Sequence, residues 1–252
     1  MNTSTKEEVV YIMQNFIETV PKKRELDEVL DWLKCERDCD KRGYGFYNNR
    51  NIIEDAFEKD NLIIFKHGNE SIGLVTWNEC ESIRIDIDIF VIHPTYQGYG
   101  EFYYNLISDS FRDRGFKAVK LFCEPRTSEQ FWRKMGLVRF PDCGQTEHEL
   151  TYYGVLEDTA STSYLSHADK IELWDVEPYE AGETNPKWIW YIEIQDDRLL
   201  YPIIQPCNCN WNLRWSRNGT VIKEAKVKHF TDEDYELYCD QFLYIEELAI
   251  EH

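Results

Sequence analysis

The chain has 252 residues, 42% of them apolar and 15% aromatic, which is enough for one large hydrophobic core or two modest ones. A net charge of −19 excludes a duplex nucleic-acid binder, which needs a field of Lys and Arg to displace counterions, and favours a cationic small molecule or basic protein as partner. No apolar run reaches the about 20 residues of a membrane span, the N-terminal MNTSTKEEVVYIM reads as no signal peptide, and eight scattered cysteines fit reduced thiols, so the expected setting is the cytoplasm, with no membrane partner.

In chain order, Val9, Val10, Met13, Phe16 and Ile17 share one helical face until Pro21, and Leu26, Val29, Leu30 and Leu33 mark a second helix from Arg24. Cys35 and Cys39 lie one helical turn apart but have no second ligand pair, and no metal is expected. A short helix is predicted over Arg50 to Glu58. Leu62 to Lys66 and SIGLVTW flank the turn HGNE as a hairpin. Ile83 to Ile92 alternates strictly, with Ile83, Ile85, Ile87, Ile89 and Val91 on one face and Arg84, Asp86 and Asp88 on the other. A glycine-punctuated turn and a helix from Glu101 to about Gly115 follow, then a strand over Lys117 to Cys123, a short helix over Ser128 to Met135, and strands in LVRF and HELTYYGVL.

The composition changes at Glu157. EDTASTSYLSHAD reads as a linker, and IELWDV, KWIWYIEI, LLYPII, WNLRW and TVIKEAKVKHF read as a unit of about five strands with a hairpin at Asn218-Gly219. Thr231 and Asp234 predict a capping box opening a final helix. The domain assignment is therefore 1–157, a linker over 158–168, and a β-rich domain over 169–252 that could pair two copies of the chain. The fold class is mixed α/β (α+β): a mostly antiparallel central sheet flanked by helices, plus a small second β-rich domain.

A strand that runs into a glycine turn and then a helix leaves backbone N–H groups pointing outward at the positive end of the helix dipole, which suits a phosphate-bearing ligand. HPTYQGYGEF and EQFWRKMGL, in this order and spacing, resemble the phosphate loop and the later Phe-Tyr-x-Lys-x-Gly-Phe signature of the GNAT superfamily of acyl-CoA-dependent N-acyltransferases, over about residues 50–156. Gln97 opening the loop motif matches Gly100 but ends on Phe102; Thr95 opening it matches Gly98 and Gly100 but lacks the Arg or Gln.

The resemblance implies acetyl-CoA as acyl donor, with the pantetheine arm along Phe90, Val91 and Ile92 and the pyrophosphate on amides of Gln97, Gly98, Tyr99, Gly100, Glu101 and Phe102. It implies direct attack by a primary amine, carried by a small molecule or a basic protein or peptide. Asp86 or Asp88 is the expected base; beside Arg84 the same carboxylates read equally as a salt-bridged face. Glu124 and Arg126 are placed to bind substrate. Trp132 stands where the family carries an acidic tyrosine and has no proton to give, so the thiolate leaves unaided, or Cys123 or Tyr153 substitutes, or the protein is a catalytically inactive acyl-CoA-binding or regulatory module.

Overall fold

The computed structural model describes residues 16–80, 83–143, 149–165, 169–195, 198–230, 238–239 and 241–248. The helix expected over the first residues lies outside them except at its end, where Ile17–Glu18 is instead a strand paired with Phe65 and Ile64, and the capping box at Thr231 and Asp234 lies outside them. No helix among the described residues is long and apolar enough to cross a membrane. Contacts group the chain into two units, one containing residues up to Cys80 with Arg84–Gly136, the other containing Leu137 onward. The change of composition at Glu157 falls within the second.

The first unit runs β1 (Ile17–Glu18), α1 (Lys23–Cys39), a 3₁₀ turn (Phe46–Asn49), α2 (Arg50–Glu58), β2 (Leu62–His67), β3 (Glu70–Cys80), β4 (Arg84–Ile92), a second 3₁₀ turn (Pro94–Tyr99), α3 (Gly100–Asp113), β5 (Ala118–Phe122), a third 3₁₀ turn (Arg126–Ser128) and α4 (Glu129–Lys134). Its strands stand in the order β1-β2-β3-β4-β5. They are antiparallel as far as β4, while β4 and β5 run parallel, joined by the α3 crossover. Leu26, Val29, Leu30 and Leu33 of α1 and Ile53 and Ala56 of α2 bury their apolar faces against Leu62, Ile64, Leu74, Ile89 and Val91 of the sheet. The sheet's other side carries Trp77 against Phe111, and Phe65 against Tyr103, both partners from α3.

Helix α1 is pinned at its start. The Lys22 N–H donates to Glu25 Oε2 (2.7 Å), and Lys66 Nζ reaches across from β2 to Glu25 Oε1 (2.8 Å). Glu25 is 5% exposed, and the Lys66 hydrogen bond outweighs burial to hold its pKa below the ordinary value.

The alternation of β4 conceals a change of side. Trp77 pairs with Ile87 and Thr76 with Ile89, so Asp88 is an extra residue without a partner on β3, a β-bulge. Neighbouring β3 residues point to opposite faces. Ile87 therefore lies on the Trp77 side, toward α3, while Ile89 and Val91 lie toward α1 and α2. The single apolar face expected from Ile83 through Val91 is thus divided at the bulge, and Phe90 is turned toward α3 and α4. Close approach of β3 and β4 beyond the bulge depends on Gly73: a Cβ there would sit 2.3 Å from the Val91 carbonyl oxygen.

In the second unit β6 (Val138–Arg139) pairs antiparallel with β7 (Thr151–Val155). It then holds β8 (Asp169–Leu173), α5 (Pro178–Ala181), β9 (Trp188–Ile192), β10 (Ile194–Gln195), β11 (Arg198–Pro206), β12 (Asn212–Arg217), β13 (Thr220–Lys226), β14 (Tyr238–Cys239) and β15 (Phe242–Glu247). These strands form two four-stranded sheets, β13-β12-β8-β9 and β10-β11-β15-β14, more strands than the five expected. The described C-terminal residues end in strand β15, whose Phe242, Leu243 and Ile245 are buried and pair with β11. Asn218 (φ 49°) and Gly219 (φ 79°) make the tight β12–β13 turn, a conformation that favours Asn-Gly. Trp190, Trp211 and Trp215 are core residues, and the Trp215 indole N–H is satisfied by Asp169 Oδ2 at 2.8 Å.

Two outcomes are expected from this packing. Gly73→Ala lowers stability by about 1–3 kcal/mol, the usual range for overpacking, measured as a shift in the urea midpoint. Because the Glu25 pKa is depressed on folding, its contribution is present at neutral pH and is lost as the pH falls below the ordinary carboxylate value of 4.5. Glu25→Gln therefore lowers the neutral-pH midpoint and flattens the acid limb of stability against pH.

Candidate active site

The parallel β4–β5 ladder runs from Arg84–Ala118 to Ile87–Leu121 and stops, although β4 continues to Ile92. Beyond that point the strands part, and a cleft of about 410 Å³ opens between them. One wall is the end of β4, with Ile87, Asp88, Phe90 and Ile92; the other is Leu121 and Phe122 with Glu124 and Pro125 beyond. Phe131 and Trp132 of α4 form the side, Phe46 reaches in from the first 3₁₀ turn, and Gln97 and Gly100 lie where α3 begins. The cleft combines a strand edge, an apolar side and a helix N-terminus.

The apolar wall is built by the turned Phe90. Its ring stacks on Phe131 (5.8 Å between centroids) and meets Trp132 edge-on (5.4 Å). Trp132 also packs edge-on against Tyr104, and burial raises the Tyr104 pKa to about 12. Gly100 is the first residue of α3, and a Cβ on it would come within 3.0 Å of Phe131 Cε2. Glycine therefore lets the helix end approach the aromatic wall.

Of the expected donor-binding residues, Phe90, Ile92, Gln97 and Gly100 line the cleft. Val91 is buried on the other face with α1 and α2. Gly98 lies in the 3₁₀ turn with open space around it, Tyr99 is exposed beside His67, Glu101 in the first turn of α3 is ion-paired to Lys134 (2.6 Å), and the Phe102 ring packs on Phe16. His93 Nδ1 accepts from the Thr95 N–H (3.3 Å), which makes His93 the cap of this turn.

The two expected base candidates are separated by their partners. Asp86 is ion-paired with the buried Arg84, with Nε–Oδ1 at 2.7 Å and Nη2–Oδ2 at 3.0 Å, and does not line the cleft. Asp88, at the bulge, does. It accepts one hydrogen bond, from Asn78 Nδ2 (2.7 Å), and desolvation by the surrounding walls raises its pKa, with the nearby Asp86 charge adding in the same direction. A carboxylate with a raised pKa and no cation on it is suited to accept a proton.

Glu124 lines the cleft and Arg126 does not. Cys123 is fully buried and absent from the lining, with its thiol pushed up to about 11 mainly by burial. Tyr153 belongs to the second unit, where burial raises its pKa. Among the described residues no group of three His, Cys, Asp or Glu side chains is placed to hold a metal ion. Sequence reasoning missed Asn78, whose signal was its place across the hairpin from Asp86, and the cleft residues Phe46, Leu121 and Phe131.

No protein-family model matches the chain, and no curated protein matches it. Solved structures do. One is Ard1 from Thermoplasma volcanium (TM-score 0.43, 11% identity, 56% of this chain and 97% of that one). Another is N-acetylglutamate synthase from Neisseria gonorrhoeae complexed with coenzyme A and N-acetyl-glutamate (0.45, 15%, 56% of this chain and 35% of that one). A third is Tetrahymena GCN5 (0.40, 10%, 53% and 88%). Two further neighbours, from Staphylococcus aureus Mu50 and Bacillus cereus, are acetyltransferases of the GNAT family (0.42, 11%, 56% of this chain and 98% of that one; 0.40, 18%, 55% and 95%). The rest of the chain is unmatched by them.

Asn78→Ala removes the hydrogen bond that stabilises the ionised carboxylate. The Asp88 titration midpoint, followed by carboxyl-carbon NMR, is expected to move upward; a midpoint that stays in place would mean that the hydrogen bond is absent in solution.

Proposed function

We propose that this chain is an acyl-CoA-dependent N-acyltransferase that moves an acetyl group from acetyl-CoA to a primary amine. The observation that carries the reading is the parted end of β4, an extended backbone edge that leads from Asp88 to the start of α3 along one continuous cleft. An acylated pantetheine arm is an extended chain with amide groups, suited to lie against such an edge. Its pyrophosphate would then meet the amides and positive dipole end of α3. Phe90, Phe131 and Trp132 would exclude water from the thioester.

In this reading Asp88, directly or through a water, takes a proton from the acceptor's ammonium, and the neutral amine attacks the thioester carbonyl carbon. The C–N bond forms, backbone amides at the parted strand steady the oxyanion, the attacking nitrogen gives its second proton to solvent, and the C–S bond breaks with its electron pair leaving on sulfur. Trp132 offers no proton, and neither Cys123 nor Tyr104 lines the cleft. The thiolate therefore leaves unassisted, as its ordinary pKa of about 8.5 permits.

A second reading, favoured by Trp132 at the acid position, is a module that binds acyl-CoA without turnover. Two measurements separate the readings. Calorimetric titration with acetyl-CoA is expected to give a dissociation constant of tens of micromolar or tighter, and heat-free injections would count against both. Thiol release across a panel of amines is expected to fall about 100-fold or more in Asp88→Asn, the scale of losing a general base. Because a base acts only when ionised and the Asp88 pKa is raised, kcat/KM is expected to fall with decreasing pH through a midpoint above the ordinary 3.8, a limb that Asp88→Asn abolishes.

A further inference from the structure

We propose that the acceptor is a small aliphatic diamine whose reacting amine meets Asp88 and whose second, still protonated amine is held by Glu124. This rests on the transferase reading and adds the chemical class of the acceptor. The cleft between the parted strands is lined by two carboxylates, Asp88 on the β4 side and Glu124 just past the end of β5. Glu124 is exposed, and none of the hydrogen bonds or ion pairs of the described residues engages its carboxylate.

Glu124, Pro125 and Phe46 also line a second cavity, of about 600 Å³, completed by the turn from Arg42 to Asn49. Glu124 therefore borders both cavities. The wall's cation is already engaged: Arg42 pairs with Asp40 (3.5 Å) and lies over the Tyr44 ring (5.1 Å to the centroid). What remains for a ligand is a carboxylate beside the Tyr44 and Phe46 rings, a setting that attracts an alkylammonium. On the α2 side, a third cavity also touches Asp88, but its other carboxylate, Asp55, is bound to Lys59 at 2.7 Å.

These charges select among amines. A monoamine leaves Glu124 unanswered once its amine is neutral and attacking, and an amino acid brings its own carboxylate toward Glu124. A diamine supplies one neutral nucleophile and one ammonium. The chain's net charge of −19 adds a long-range attraction in the same direction.

The test uses the full-length protein loaded with CoA, titrated calorimetrically with 1,4-diaminobutane, 1-aminobutane and glycine, with thiol release from acetyl-CoA measured in parallel. The expected result is that the diamine binds at least about fivefold more tightly than the monoamine, the scale of one partly exposed ion pair, and that Glu124→Gln brings the two within about twofold. Equal binding of the two amines in the parent protein, or a preference that survives Glu124→Gln, overturns the proposal. So does a lysine-containing peptide that outcompetes the diamine. Diamine binding that depends on Glu124 without any thiol release would sink the transferase reading and leave the cation subsite standing; release from all amines alike would do the reverse.

Discussion

The candidate site depends on how far β4 and β5 remain paired. A parallel pair requires a crossover, and the crossover helix must begin at the carboxyl end of the first strand. The end of β4, the positive end of α3 and the carboxyl end of β5 therefore converge by topology. If the ladder continued to Ile92 the same elements would meet around closed backbone. Because it stops at Ile87, they meet around a cleft. The parting turns a connection rule into a place where an extended ligand can lie.

The bulge at Asp88 sets what lines that place. One extra residue in β4 sends Ile89 and Val91 to the α1 and α2 side and frees Phe90 for the α3 and α4 side, where it builds the aromatic wall with Phe131 and Trp132. It also leaves Asp88 at the cleft, unpaired to β3 through its backbone and held through its side chain by Asn78. Bulges re-aim side chains at the cost of a ladder position, and here that position is the one that carries the carboxylate. Gly73 and Gly100 serve the same geometry, one allowing β3 to approach beyond the bulge, the other allowing the helix end to meet Phe131.

Electrostatics separates residues that composition treats alike. Asp86, Asp55 and Glu101 are ion-paired with Arg84, Lys59 and Lys134. Asp88 and Glu124 both face the cleft, the first with only an amide on it. In an acidic chain the informative carboxylates are those without a cation, since an unpaired charge kept beside a concave surface is available to a ligand or a proton.

Much of this was legible in the residues themselves. Periodicity located α1, α2, the β2–β3 hairpin, β4, α3 and β5, because each buries one face whose spacing the sequence must repeat. The glycine turn ahead of a helix marked the start of α3, and Asn218-Gly219 marked its hairpin, because positive φ restricts the residue choice. Strand β15 was hidden, since its burial is decided by β11, which lies far away along the chain. The choice between Asp86 and Asp88 was equally out of reach. Alternation assigns both to one face with Arg84, and only the three-dimensional pairing gives the guanidinium to Asp86 and the cleft to Asp88. The sequence by itself determined most helices and strands of the first unit and the turn that opens α3, since those follow from local spacing and backbone freedom. Tertiary structure alone decided where β4 leaves β5, where its faces exchange, and which carboxylate remains without a cation, since each depends on residues brought together from distant parts of the chain.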